Sequence, residues 1–193
     1  MAICSHPTAF GVAVPGPQLG EVHIKLYDAP SEMIIPAHNS SIAALAINSD
    51  STMVATASAK GTLLRVWDSS SGLQLYELRR GVDIAAITCL NFNQISSYLI
   101  CSSDKGTIHV FSIVSKTEPQ VLLPPSPSEP HLTHEENAKE QKIRNKKSSI
   151  RSLVPSFLRP RYLEGQWGFL QIRGVGKCIC GFTPDSSKIV VRG

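Results

Sequence analysis

The chain lacks three sequence motifs from which catalysis commonly starts. It has no Gly-x-Ser-x-Gly nucleophile elbow, no phosphate-loop Gly-Lys-Ser/Thr and no His-Glu-x-x-His zinc motif. A non-enzymatic protein without a cofactor is therefore expected. Charge is sparse, at 18% of residues, while 42% are hydrophobic, which is the balance of a globular domain rather than a disordered tail. No apolar stretch approaches the ~20 residues that span a bilayer. The start, Met1 to Pro7, has no basic segment leading into an apolar run, so a soluble, non-secreted protein is the expectation. Cysteines are few and odd in number: Cys4, Cys89, Cys101, Cys178 and Cys180 lack metal-ligand spacing and read as reduced core or strand residues, with no metal site. Asn39-Ser40-Ser41 is a formal glycosylation sequon, expected to be silent without a secretory signal.

What the chain does have is a repeat. Ser58-Ala59-Lys60-Gly61-Thr62 overlays Ser103-Asp104-Lys105-Gly106-Thr107 at an offset of 45, and the same offset sets Ile42 on Ile87, Leu45 on Leu90 and Asn48 on Asn93. A period of about 40 to 45 residues built from four short strands is the mark of a propeller blade. Strands are predicted at 43–47, 53–57, 63–68 and 73–78, separated by the polar turn Asn48-Ser49-Asp50 and the Lys60-Gly61 turn. The second copy repeats them at 87–92, 98–102 and 107–113 and, after a long interruption, 166–172. Partial copies flank the pair. Glu21 to Asp28 resembles a third strand, parallel to Leu64 to Asp68, and Cys178 to Ser187 restarts the pattern of Ala43 to Thr52. The reading is an all-β chain of WD40-like four-stranded blades, a partial propeller. Residues 1–30 are the end of one blade, 31–80 a whole blade, 81–174 a whole blade carrying an insert at 115–164, and 175–193 the start of the last. Since about four to eight blades close a ring, a fragment of a longer propeller protein is expected.

On the seam between the two whole repeats stands Leu78-Arg79-Arg80-Gly81. Successive strand residues point to opposite faces, so the two arginines cannot serve one small ligand but can serve a site on either side. Guanidinium groups stay charged and present a planar fork of donors matched to phosphate. An arginine pair on an outer strand can also simply be solvated or protect an edge.

With these repeats in register, the sequence resembles the PROPPIN family, the seven-bladed phosphoinositide-binding β-propellers of autophagy, called WIPI proteins in animals. That family carries Phe/Leu-Arg-Arg-Gly between its fifth and sixth blades. The resemblance also rests on Pro36-Ala37-His38, on Ala55 to Thr62, on Cys101 to Phe111, and on Val14-Pro15-Gly16-Pro17 with Gly20-Glu21-Val22. It covers most of the chain outside about 115 to 164. It implies binding of phosphatidylinositol 3-phosphate and phosphatidylinositol 3,5-bisphosphate at two rim sites, one per arginine. Carried over by position, the first site uses Arg79 with His38, Ser58, Lys60 and Thr62. The second uses Arg80 with Ser102, Ser103, Lys105, Thr107 and His109. Hydroxyls, cations and glycine-containing turns suit a doubly charged phosphate, although Ser, Lys, Gly and Thr are ordinary hairpin residues as well. A phosphate beside His38 or His109 favours the protonated imidazole, so binding is expected to strengthen on mild acidification. The implied partners are phosphoinositide-containing membranes and autophagy lipid-transfer and conjugation-scaffold proteins, not nucleic acid. The implied location is cytoplasmic, peripheral to autophagosome-precursor and endosomal membranes. A protein-interaction scaffold whose arginines grip acidic peptides, with no specific lipid role, is the alternative.

The insert has two parts. Pro119, Pro124, Pro125, Pro127 and Pro130 make the first an extended linker. From Lys139 to Arg161 the second holds eight Lys or Arg against the single Glu140, a net +7 in a chain of net +4. Such a segment is drawn to an anionic leaflet. Ile143, Ile150, Leu153, Val154, Phe157 and Leu158 fit one helix face, interrupted at Pro155. In the resembled family the corresponding loop inserts into membrane, which makes Ile150, Leu153, Val154, Phe157 and Leu158 the expected membrane loop. A solvated insert fits the same composition. Without interleaved aromatic residues, a nucleic-acid-binding tail is disfavoured.

Overall fold

A computed structural model of the chain describes residues 1–6, 9–27, 32–113, 167–171 and 177–193. Among the described residues fourteen strands form antiparallel sheets, and within each sheet strands that follow one another in sequence are paired. The first sheet holds β1 (Ala2–His6), β2 (Ala9–Pro15), β3 (Glu21–Leu26) and β4 (Glu32–Pro36). The second holds β5 (Ile42–Ile47), β6 (Met53–Ser58), β7 (Leu63–Asp68) and β8 (Gln74–Arg79). The third is β9 (Ile87–Phe92), β10 (Tyr98–Ser103), β11 (Thr107–Ser112) and β12 (Trp167–Gln171). A last hairpin pairs β13 (Ile179–Phe182) with β14 (Ile189–Arg192).

The repeat is visible in the backbone. Ser51, Ser96 and Ser186 occupy the left-handed region at φ 59°, 59° and 57°, each in the turn after a sheet's first strand. The side-chain oxygens of Asn48 and Asn93 accept the amides of Met53 and Tyr98, both at 2.8 Å, and Thr183 Oγ1 accepts that of Lys188 at 3.1 Å. A short polar side chain that closes its own turn explains why Asn and Thr stand at these positions. Gly61 and Gly106 provide the matching left-handed residues of the Lys-Gly turns, at φ 60° and 66°.

Sheets pack face to face. Val22, Ile24 and Ile35 meet Val54 and Trp67 between the first and second sheets. Leu64, Val66 and Leu78 meet Ile87, Leu90 and Leu99 between the second and third, and Ile100 and Ile108 meet Cys178 and Cys180 between the third and the last hairpin. The second strands β6 and β10 are buried almost end to end because each has a sheet on both faces. Their runs are consequently apolar or small rather than alternating.

The domain reading needs one correction. Residues 1–30 are not merely the end of a blade: Ala2 to Pro36 forms a complete four-stranded sheet, and the boundary falls after Pro36. Gly11 and Pro15 weaken the strand signal of β2, and neither repeated turn sequence occurs in this sheet. The inserted segment leaves after β11 and the chain returns as β12, which pairs with β11 in the register Phe111 opposite Trp167. Ile150, Leu153, Val154, Phe157 and Leu158 lie outside the described residues.

Candidate functional site

Arg79 closes β8, paired across the strand with Leu63. Leu78 is buried before it, and Arg79 itself is exposed. One residue on, the alternation reverses the side chain's surroundings: Arg80 is buried to 9% exposure, while its backbone amide donates to Thr62 O at 3.0 Å. Its Nε donates to Gly61 O at 2.5 Å and a terminal guanidinium nitrogen donates to Asp83 O. Arg80 thus ties the β6–β7 turn to the connection leading into β9. A guanidinium carries five N–H donors, so these two bonds leave capacity for an anion. The glycine is required here: a methyl group at Gly61 would lie 1.9 Å from Ala85 O.

Four of the five residues assigned to the first site come from one turn and the strand end beside it. Ser58 ends β6 and is buried, and its carbonyl accepts Gly61 N at 2.8 Å. Lys60 is exposed at the turn. Thr62 is half-buried and precedes Leu63, the partner of Arg79. His38 is different. It is 7% exposed, and its Nε2 is 2.9 Å from Thr56 Oγ1, which also accepts Trp67 Nε1–H at 3.0 Å. Beside it, Arg65 donates to Ala37 O at 2.6 Å and to Glu77 Oε2 at 2.9 Å. His38 therefore sits in an internal network that joins the connection after β4 to β6 and β7. Sequence reasoning missed Thr56, Arg65 and Trp67. The available signal was that at the offset of 45 the trio His38, Thr56 and Trp67 becomes Asp83, Cys101 and Ser112, so the third sheet does not repeat this network. A cavity of about 350 Å³ opens between the Pro15–Glu21 hairpin and Ser41–Ile42. Its lining includes Glu21 and no lysine or arginine, which does not suit a phosphate.

The second group divides in two. Ser103 and Thr107 bracket their turn with hydroxyls 2.9 Å apart, and Lys105 is exposed between them. His109 lies on β11 opposite Cys101 and is 6% exposed, close enough to Arg80 to feel its charge. Ser102 instead faces the last hairpin. Its hydroxyl donates to Cys178 O at 2.6 Å and lies 2.8 Å from Thr88 Oγ1. Strand alternation, with a register shift between Ser102 and Ser103, sends the two serines apart.

Both imidazoles are held neutral. Burial first, and then the charge of Arg65, lowers His38 to about 4. Burial and then Arg80 lower His109 to about 4. In the ligand-free chain neither protonates on mild acidification, so the expected acid-strengthened binding requires a bound phosphate to pull a proton onto them. All five cysteines are free thiols. The half-buried Cys89 is held below the ordinary thiol range, chiefly by a hydrogen bond with Cys180. Among the described residues no cluster of His, Cys, Asp or Glu could hold a metal ion, and no helix is long and apolar enough to cross a membrane.

Antiparallel four-stranded blades packed face to face, with an arginine pair between two repeated turns, define a β-propeller of the WD40 kind. A family model, PROPPIN, matches residues 2–130, and the chain belongs to the PROPPIN family. It is 38% identical over 139 residues to SVP1-like protein 2 of Candida glabrata, covering 72% of this chain and 31% of that protein. It is 42% identical over 80 residues to autophagy-related protein 18 of Komagataella pastoris, 42% of this chain and 15% of that one. Among solved structures, Kluyveromyces lactis Hsv2 superposes with a TM-score of 0.64 at 20% identity, covering 98% of this chain and 50% of its own. A complex of KlAtg21 with the coiled-coil of AgAtg16 matches with a TM-score of 0.50 at 24% identity, over 58% of this chain and 38% of that chain. The chain spans less than half the length of the curated relatives it matches.

Proposed function

We propose that this chain acts in autophagosome formation as part of a non-enzymatic effector that docks on membranes carrying phosphatidylinositol 3-phosphate and phosphatidylinositol 3,5-bisphosphate. The observation that carries the reading is the divergence of Arg79 and Arg80: Arg79 is exposed at the strand end beside the Lys60–Gly61 turn, while Arg80 is buried, bonded to Gly61 O and Asp83 O, with its charge felt at His109 on β11. Arg79 with Lys60 and Thr62 forms the first headgroup site, and Ser58 stands at the base of its turn. Arg80 with Ser103, Lys105, Thr107 and His109 forms the second. His38 acts on the first site from behind, through the Thr56 network, and Ser102 supports the second through its bond to Cys178. The basic segment that follows β11 in sequence, with Ile150, Leu153, Val154, Phe157 and Leu158, is the further membrane contact of this reading. The protein is then cytoplasmic and peripheral to autophagosome-precursor and endosomal membranes.

Flotation with vesicles containing phosphatidylinositol 3-phosphate tests the reading. Binding is expected for the parent chain and is lost in the folded Arg79→Thr/Arg80→Thr variant. A folded parent chain that does not float overturns it. A protein-interaction role has one specific support, the similarity to KlAtg21, which was solved with a coiled-coil partner. Under that reading the arginine variant loses an acidic or coiled-coil partner and keeps lipid binding. Partners among autophagy lipid-transfer and conjugation-scaffold proteins are compatible with both.

A further inference from the structure

The connection from β8 to β9 crosses between the two candidate headgroup sites, and it is pinned at both ends. On one side Ala85 N donates to Lys60 O at 3.2 Å, and Arg80 bridges Gly61 O to Asp83 O. On the other, Ala86 N donates to Asp104 Oδ1 at 3.0 Å while Asp104 N donates to Ala86 O at 2.9 Å. Ala85 is buried at 1% exposure. Yet two large apolar side chains on this short, tied segment face solvent: Val82 is 75% exposed and Ile84 68%. Neither has a core role, and both stand between the turns that carry Lys60 and Lys105. Three exposed cationic side chains, Arg79, Lys60 and Lys105, stand on the strand end and turns that flank the segment, and the buried Arg80 is bonded to it at Asp83 O, against the carboxylates of Asp83 and Asp104, so the apolar pair is flanked by net positive charge.

We infer that Val82 and Ile84 form a fixed apolar wedge that enters the acyl boundary of an anionic bilayer between the two bound headgroups. This rests on the membrane-docking reading above. If headgroups occupy sites on both sides of the segment, the lipid surface lies across the segment itself, and its outermost residues are the ones that meet it. The surrounding positive charge selects an anionic lipid surface over a neutral apolar partner. Because backbone bonds already hold the segment, insertion orders little that is not ordered beforehand, and the apolar area removed from water adds to the lipid contact.

The test uses Val82→Ser/Ile84→Ser and, separately, Ile84→Trp. Two measurements are made on each: affinity for the water-soluble headgroup inositol 1,3-bisphosphate, and partition onto phosphatidylcholine/phosphatidylserine vesicles carrying phosphatidylinositol 3-phosphate. The serine variant is expected to keep soluble headgroup affinity and melting temperature while vesicle partition weakens by about tenfold or more. The tryptophan's emission is expected to shift to the blue on vesicles and to be quenched by lipids brominated on the acyl chain. Unchanged partition of the serine variant, or an unshifted tryptophan on vesicle-bound protein, overturns the wedge while leaving the headgroup sites standing. A parent chain that binds neither soluble headgroup nor vesicles overturns the docking reading and the wedge with it. Self-association in the absence of lipid that disappears in the serine variant assigns the pair to a contact between copies and also overturns it.

Discussion

Arg79 and Arg80 are adjacent, chemically identical and structurally unequal. Arg79 is exposed and forms no ion pair among the described residues, so Arg79→Thr is expected to change unfolding free energy by less than about 0.5 kcal/mol. Arg80 holds two backbone carbonyls in a buried setting. Its loss leaves Gly61 O and Asp83 O without those donors, and Arg80→Thr is expected to cost about 1–3 kcal/mol in urea unfolding. Equal costs for the two variants would contradict this division. The histidines make a second case. His38 and His109 titrate near 4 in the folded chain against 6.5 for the unconstrained side chain, so between those values the unfolded chain binds more protons. Their contribution to stability is complete above about pH 6.5 and is lost as pH falls toward 4. The urea midpoint is expected to drop between pH 7 and pH 5, and the drop is expected to shrink in His109→Gln. The sequence signals that His38, Thr56 and Trp67 are not repeated at the offset of 45, but not that they meet, since a histidine before a blade and a histidine at a phosphate look alike. Burial and the position of Thr56 separate them.

At the scale of the element, the turns carry the design. The strands themselves follow from pattern: β6, predicted over 53–57, is Met53–Ser58, and β12, predicted over 166–172 across a long interruption, is Trp167–Gln171. Each of the two Lys-Gly turns needs a left-handed residue, and at Gly61 it also needs space. Gly61→Ala combines an unfavourable φ with a methyl group driven onto Ala85 O. It is expected to destabilise by about 1–3 kcal/mol and to weaken vesicle binding by displacing the β8–β9 connection. Gly81 has open space around its α-carbon, so Gly81→Ala is the control, expected to melt with the parent. A Gly61→Ala chain that melts and binds normally would show that the turn and the connection are not coupled. The first sheet shows where pattern reading fails. The repeated turn sequences do not occur in it, so only β3 matches the copies, while β2 emerges from its backbone pairing with β3 and β1 from its pairing with β2 rather than from any local signal.

For the whole molecule, the consequence of the proposed docking of two headgroups on either side of one connection is avidity. Once one headgroup is held, the second encounter is intramolecular, and the gain over a single site is of the order of 10²-fold or more. Arg79→Thr is therefore expected to lose roughly that factor on vesicles while the remaining site keeps its affinity for soluble headgroup. Parallel losses in both assays would exclude joint action. Vesicle binding is also expected to weaken as salt is raised, because the cations at this rim are largely exposed and screened. What the sequence determined by itself is the period: apolar strands of fixed length, Asn- or Thr-closed turns, Lys-Gly turns and an arginine pair on the seam are local features, and local features are written residue by residue. Tertiary structure decided which polar residues are spent inside. Ser102 and Ser103 are neighbours in one strand, yet packing against the last hairpin claims the first and leaves the second at the turn. Packing of the second sheet on its neighbours likewise buried Arg80 and left Arg79 out. Burial depends on what stands opposite a side chain, and that partner is distant along the chain: 19 positions for Arg80 and Gly61, 76 for Ser102 and Cys178.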